Sequence, residues 1–254
     1  MHIRIYALVA AACLSFAVIA GPAWAQQSAP AFNDDQRRAI GDIIKEYLIQ
    51  NPEILQQANA ELERRMQQAQ KIAQGKALKE ARETLLSSRG SIVMGNPDGK
   101  ITMVEFSDYN CPYCRKALDD VQALIAANPQ LKVIVKEFPV LGPESVEASQ
   151  AVLAATRQLD NQAKRAQYHD GLMRLRGRVN GDTALSAAGK LGADASAMRR
   201  DMKTDDIAAM IKENMSLGDQ LGITGTPTFI VGDQILVGAV GLEQMQKAVS
   251  TVTE

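Results

Sequence analysis

Cysteine, histidine and tryptophan are scarce in this chain, and each shortage excludes something. There are three cysteines, two histidines and one tryptophan in 254 residues. Cys111 and Cys114 form a C-x-x-C pair, but no second pair exists to complete a four-coordinate zinc site. Beyond His2, the only histidine that could join them is His169. Neither sign of charge dominates: 28 basic residues stand against 29 acidic ones, with no long basic run. An electrostatic nucleic-acid binder is therefore disfavoured. Internal repeats are also lacking.

The start of the chain reads as export machinery. His2 and Arg4 precede an apolar run from Ile5 to Ala20, which ends in Gly21-Pro22 and Ala23-Trp24-Ala25. Small residues at Ala23 and Ala25 suit a signal peptidase, so the expectation is a signal peptide over 1–25, cleaved after Ala25. The run is short for a retained membrane anchor. Lipidation at Cys13 would leave a mature chain opening on apolar Leu14–Ala20, which argues against it. Cleavage removes Cys13 and Trp24 and leaves Cys111 and Cys114 as the whole thiol complement. In the periplasm, an oxidising compartment, such a pair has disulfide chemistry to perform.

The pair itself, Cys111-Pro112-Tyr113-Cys114, follows the apolar run Ile101–Phe106 and precedes a helical pattern from Arg115. A proline suits the first helical turn, where no backbone N–H is required. Cys111 would then stand at a helix N-terminus, whose free N–H groups stabilise a thiolate. Cys111 is the expected attacking thiol and Cys114, one turn inward, the resolving one. Pro112-Tyr113 helps to set how oxidising the pair is.

Two further features bear on this chemistry. Glu105 lies inside an apolar strand, six residues before Cys111. Burial would raise its pKa and fit it to relay a proton to or from Cys114. The alternative is a carboxylate facing water at a sheet edge. Thr226-Pro227-Thr228 precedes a second apolar strand, where a proline is costly unless its geometry is wanted. A cis bond there would bring the Thr226 backbone beside the reactive sulfur, free to pair with an extended client chain.

Around these the chain orders itself. Residues 26–31 read as a flexible mature terminus and 32–90 as a helical segment. Ile40, Ile43, Ile44, Tyr47 and Leu48 share one stripe before the Asn51-Pro52 break, and a second helix is expected from there to about Leu86. Its apolar positions Leu55, Ala58, Leu62, Met66, Ala69 and Ala73 approach a heptad seam. A single stripe is too thin to form its own core, so self-association is expected. Residues 87–96 read as a join. From 91 to 254 the expectation is a βαβ unit (strands at Ile101–Phe106 and Leu131–Phe138), a helical insert over about 144–215, strands at Thr228–Val231 and Ile235–Val237, and a closing helix. One helix is expected over Glu144–Tyr168. His169 reads as a surface or packing histidine, Arg174–Arg178 as a solvated face, Lys136 and Glu137 as flanking a strand end. Asp108 and Tyr109 read as shaping the loop above the dithiol.

Val104-Glu105-Phe106-Ser107-Asp108-Tyr109, Cys111-Pro112-Tyr113-Cys114 and Gly225-Thr226-Pro227-Thr228-Phe229 together resemble the DsbA-type thiol–disulfide oxidoreductases of the thioredoxin superfamily. The resemblance covers roughly Gly95–Val252. It implies a thioredoxin fold of class α/β with an inserted helical subdomain, a cis Pro227, and a buried acid at Glu105. Pro112-Tyr113 stands where the strong oxidase of that group has Pro-His. The segment Phe32–Ser88, with Tyr47-Leu48-Ile49-Gln50-Asn51-Pro52-Glu53, resembles the N-terminal domain of the suppressor-of-copper-sensitivity protein C type. That likeness implies a homo-oligomer, a trimer in particular, with disulfide isomerase or reductase activity. It implies too a membrane thiol electron-transfer partner that keeps the dithiol reduced.

The expected activity is thus a protein disulfide isomerase or reductase acting on misfolded or copper-oxidised exported proteins. Cys111, Cys114, Glu105 and Pro227 would be catalytic, with Pro112, Tyr113 and Thr226 contacting the client. No cofactor is expected and no metal is required. A DsbA-like oxidase that introduces disulfides is the alternative reading. A Cu(I)-binding protein using Cys111 and Cys114 as soft thiolates is the second.

Overall fold

The computed structural model describes residues 32–253. The expectations for a signal peptide over 1–25 and a flexible terminus over 26–31 lie outside the described residues. The chain divides into two units, Met1–Glu63 and Arg64–Glu254.

In the first unit, helix α1 (Asp34–Gln50) starts at a capping box. The Asn33 side chain accepts from the Gln36 N–H at 2.9 Å while the Gln36 side chain accepts from the Asn33 N–H at 2.9 Å. Asn51, directly before Pro52, closes the helix as the sequence predicts. None of its residues is buried, and Ile40, Ile43, Ile44 and Tyr47 are exposed. Helix α2 (Glu53–Glu80) follows, with Leu55, Leu62 and Met66 also exposed.

The expected helix to Leu86 is not continuous: it breaks at Ala81, and a short α3 (Arg82–Leu86) follows. Leu78, Ala81 and Leu85 are buried in the core of the second unit, so this stretch packs as part of that unit.

Strand β1 (Ile92–Gly95) corrects the reading of residues 87–96 as a join, because Ile92, Val93 and Met94 are all buried. Its apolar run is too short to stand out by periodicity. Strand β2 (Ile101–Ser107), helix α4 (Pro112–Ala127) and strand β3 (Leu131–Glu137) form the expected βαβ unit, with β2 and β3 parallel from Ile101↔Leu131 to Ser107↔Glu137. The insert then holds α5 (Pro143–Thr156), α6 (Gln162–Met173), α7 (Gly181–Gly189), α8 (Ala195–Asp201) and α9 (Asp205–Leu221). The single helix expected over Glu144–Tyr168 is two, because Asn161 takes extended backbone and its side chain caps α6. Helix α9 passes the expected end of the insert near 215 and stops at Gly222 in the left-handed conformation.

Strands β4 (Thr228–Val231) and β5 (Gln234–Val237) and helix α10 (Leu242–Thr253) complete the unit. The sheet order is β1-β3-β2-β4-β5, which puts β2 in the centre. Strand alternation sorts the core onto two faces. Met103, Val133, Val135, Phe229 and Val231 pack with α4, α10 and the insert helices, whereas Val104, Phe106, Ile134 and Ile230 pack with α3 and α9. Among the described residues no helix is long and apolar enough to cross a membrane.

Candidate active site

The central strand β2 runs out at Ser107, and the next four residues carry the chain to the start of α4. Asp108, wholly buried, holds this loop in place. Its Oδ1 accepts from the Asn110 N–H (2.8 Å) and Ser145 Oγ (2.8 Å), and its Oδ2 from the N–H groups of Val140 (2.9 Å) and Leu141 (3.1 Å). Asn110 pairs with the Val179 backbone in both directions, donating to its carbonyl at 2.9 Å and accepting from its N–H at 2.8 Å. Arg115 clamps the far side through the carbonyls of Tyr109 (2.9 and 3.1 Å), Leu175 (2.8 Å) and Gly177 (2.9 Å). The dithiol loop is therefore fixed from the insert.

On this support, Cys111 is the N-cap of α4 and Pro112 its first residue. Both cysteines are free and buried. Cys111 is held down to about 5, first by a hydrogen bond from the Cys114 thiol, against the opposing effect of burial. The Thr226 side chain and the backbone N–H groups of Cys114 and Tyr113 add to the lowering. In its protonated form the Cys111 sulfur donates instead to the Thr226 carbonyl at 3.1 Å. That contact favours the thiol, so the thiolate is stabilised by α4 and the Thr226 side chain and not by the Thr226 carbonyl. The Cys114 thiol moves the other way: burial raises it, and the hydrogen bond it gives to Cys111 and the nearby Glu105 charge raise it further.

Thr226–Pro227 is cis. Thr226 is half-buried, Pro227 is buried, and the Pro227 carbonyl accepts from the Gly238 N–H at 2.8 Å. Pro112 and Tyr113 are exposed, with Tyr113 at 62%. Beside them lies an open depression of about 370 Å³, lined by Asn110, Pro112, Arg115, Leu141, Gly177 and Arg178.

Glu105 does not face water at an edge. It is buried in the central strand, paired with Val135 on one side and Phe229 on the other. Burial raises its carboxyl to about 7, and the Cys111 charge adds to the rise. Ser107, two residues on and on the same face, tempers this. A carboxyl that titrates near neutrality can take the Cys114 proton and return it.

Sequence reasoning places Lys136 and Glu137 only near the strand end, yet both are buried, on opposite faces of β3. Lys136 donates to the carbonyls of Ser87 (2.6 Å) and Thr84 (3.1 Å). Glu137 accepts from Ser149 Oγ (2.7 Å) and from the Tyr109 hydroxyl (3.2 Å), which also meets His169 Nδ1 at 3.0 Å. Two adjacent charges at the end of the apolar run Val133-Ile134-Val135 were the available signal, since alternation forces one onto each face. Among the described residues, no three His, Cys, Asp or Glu side chains form a metal-holding group. For a soft metal, Cys111 and Cys114 would offer two donors.

A family model for the DsbA-like thioredoxin domain matches residues 102–250, and one for the copper resistance protein ScsC N-terminal domain matches 36–69. A thioredoxin-like oxidoreductase from Silicibacter pomeroyi is 39% identical, with 68% of this chain and 97% of that one covered and a TM-score of 0.63. Proteus mirabilis ScsC in a transitional conformation is 29% identical over 87% of this chain and 98% of its own, with a TM-score of 0.62. Among curated proteins, the Na(+)/H(+) antiporter NhaA 1 of Salinispora arenicola is 27% identical over 63% of this chain, which spans only 24% of that relative's length. With its two thiols at the head of α4 beside a cis proline, and ScsC-like helices before them, the chain belongs to the DsbA-like thioredoxin family.

Proposed function

We propose that this protein is a periplasmic thiol–disulfide oxidoreductase that acts on exported proteins through Cys111 and Cys114. The observation that carries the reading is the inequality of the two sulfurs. Cys111 is held as a thiolate down to about pH 5 at the head of α4, while Cys114 is kept protonated by burial. The Cys111 thiolate attacks one sulfur of a client disulfide, and the other client sulfur leaves as a thiolate. Cys114 then gives its proton to Glu105 and attacks Cys111 Sγ. The bond to the client breaks, leaving a Cys111–Cys114 disulfide, with two electrons passed to the client. The half-exposed Thr226 backbone and the exposed Pro112 and Tyr113 are the client contacts. Export of the chain is supported by the cleavage pattern around Ala25.

The net direction is that of an isomerase or reductase, kept reduced by a membrane thiol donor. Support comes from the ScsC-type segment and from Ile40, Ile43, Ile44 and Tyr47, which stand exposed on α1. Each such side chain left in water forgoes roughly 1.5–3 kcal/mol of burial, so a homo-oligomer, a trimer in particular, would cover them. In an isomerase a second client thiol resolves the mixed disulfide, with no net oxidation. The low Cys111 value favours the second reading, an oxidase, because a stabilised thiolate favours the reduced form and makes the disulfide a stronger oxidant.

C111S should lose all turnover on a disulfide-scrambled protein. Light scattering on the mature chain should give an oligomer that I43D/Y47D reduces to a monomer, with loss of isomerisation but not of simple dithiol exchange. A wild-type monomer would move the assignment to the oxidase.

A further inference from the structure

Beneath the dithiol loop lies a buried polar chain that the thiol chemistry above does not use. Ser149 on α5 donates to one oxygen of Glu137, and the Tyr109 hydroxyl bridges the other oxygen and His169 Nδ1 on α6. Glu137, Tyr109, Ser149 and His169 are all buried. Tyr109 sits two residues before Cys111, so the chain ties the loop to two insert helices.

Its hydrogen bonds can be satisfied with Glu137 in either charge state. With Glu137 ionised, Tyr109 and Ser149 both donate to the carboxylate, and His169 Nδ1–H donates to the Tyr109 oxygen. With Glu137 protonated, its O–H donates to Tyr109, and Tyr109 donates to the bare Nδ1 of the other imidazole tautomer. Ser149 donates in both. One proton can enter or leave with every hydrogen bond among Glu137, Tyr109, Ser149 and His169 Nδ1 kept, where titrating an interior carboxyl usually breaks one.

Glu137 also shares a sheet face with Glu105. It pairs with Ser107, two residues along β2 from Glu105, which places the two positions roughly 8 Å apart by strand geometry. We propose that Glu137, held by Tyr109, Ser149 and His169, is a second buried proton site coupled to Glu105: an ionised Glu105 holds the proton on Glu137, and that hold is released when Glu105 takes the Cys114 proton. Glu137 thus answers the charge of Glu105, and the inference rests on the relay reading of Glu105.

The surroundings support the coupling. Burial raises Glu137 to about 8, with the Asp108 and Glu105 charges adding to the rise and the Ser149 and Tyr109 hydrogen bonds opposing it. From α6, Tyr168 also feels the Glu137 charge, and burial holds His169 down to about 4 against the pull of Asp170. From α9, Asn214 donates to the Glu137 backbone carbonyl at 3.1 Å, and Lys136 occupies the other face of β3. No cation faces the carboxyl from these elements, so the Glu105 charge bears directly on Glu137.

The test uses the reduced full chain with carbon-13-labelled glutamate, following side-chain carboxyl titrations by NMR. In E105Q, which keeps the shape but cannot ionise, the Glu137 midpoint should fall by about one pH unit, the scale for two charges at this spacing in a protein interior. E137Q should leave the Glu105 midpoint, and the pH profile of client release from Cys111, in place. Y109F, by removing a donor, should push the Glu137 midpoint up. A Glu105 midpoint near neutrality with a Glu137 midpoint unmoved in E105Q would overturn the coupling alone. A wild-type Glu105 titrating in the ordinary carboxylate range would overturn the relay and the coupling together.

Discussion

On one face of β2 stand Met103, Glu105 and Ser107; on the other, Val104 and Phe106. The first face continues across β3 to Glu137 and outward to Tyr109, Asp108 and His169, all buried and polar or ionisable. The second continues to Ile134, Phe138, Leu217 and Leu221 and is apolar apart from Lys136 and Thr228. The same strands thus supply a costly face and a cheap one. Desolvated carboxyls and a stabilised thiolate store chemistry at the expense of stability, and the apolar face makes up for it.

The largest expected effect breaks the cheap face. Phe138 packs edge-on against Phe106, with centroids 5.4 Å apart at 88°. Helix α9 approaches so closely there that a Cβ on Gly218 would lie 2.4 Å from the Phe138 ring. F138A should cost about 3–5 kcal/mol in urea denaturation. The Cys111 thiolate, followed by ultraviolet absorbance against pH, should keep its midpoint; a shifted midpoint would show that the faces are not independent. Next comes the costly face. E105Q should slow client release from Cys111 roughly 10²-fold near neutral pH while leaving the first attack unchanged. Equal loss in both steps would mean a structural role.

The smallest effect concerns Lys136. Burial lowers it from 10.5 to about 8 in the fold, so between those values the unfolded chain binds more protons and stability rises with pH. Glu105 has the opposite sign. Raised from 4.5 to about 7, it makes the folded state the stronger proton binder, and stability falls as pH climbs through that window. K136M should flatten the alkaline rise and leave the acid-side slope intact, as read from unfolding midpoints across pH. Persistence of the alkaline rise in K136M would assign it elsewhere.

Much of this was legible in the chain. The βαβ unit follows from two apolar runs around Cys111-Pro112-Tyr113-Cys114, and the burial of Glu105 from its apolar neighbours. Strand β1 was not legible, because Ile92-Val93-Met94 is too short to show a period. The break between α5 and α6 rests on a cap at Asn161 inside a helix-compatible run. Glu137 was placed beside the strand end but not inside, since its partners Ser149 and Tyr109 come from 12 and 28 residues away in sequence. Partners brought together by tertiary packing leave no local pattern.

The anchoring of the dithiol loop has a consequence for engineering. Asp108, Asn110 and Arg115, which shape the approach to Cys111, each find a partner after β3. Asp108 binds Val140, Leu141 and Ser145, Asn110 binds Val179, and Arg115 binds Leu175 and Gly177. A graft of Ser107–Arg115 onto a bare thioredoxin scaffold would carry a buried carboxylate and an amide without their counterparts. The reactive sequence is therefore not a portable cassette: what must be transplanted is the loop together with the start of α5 and the turn before α7.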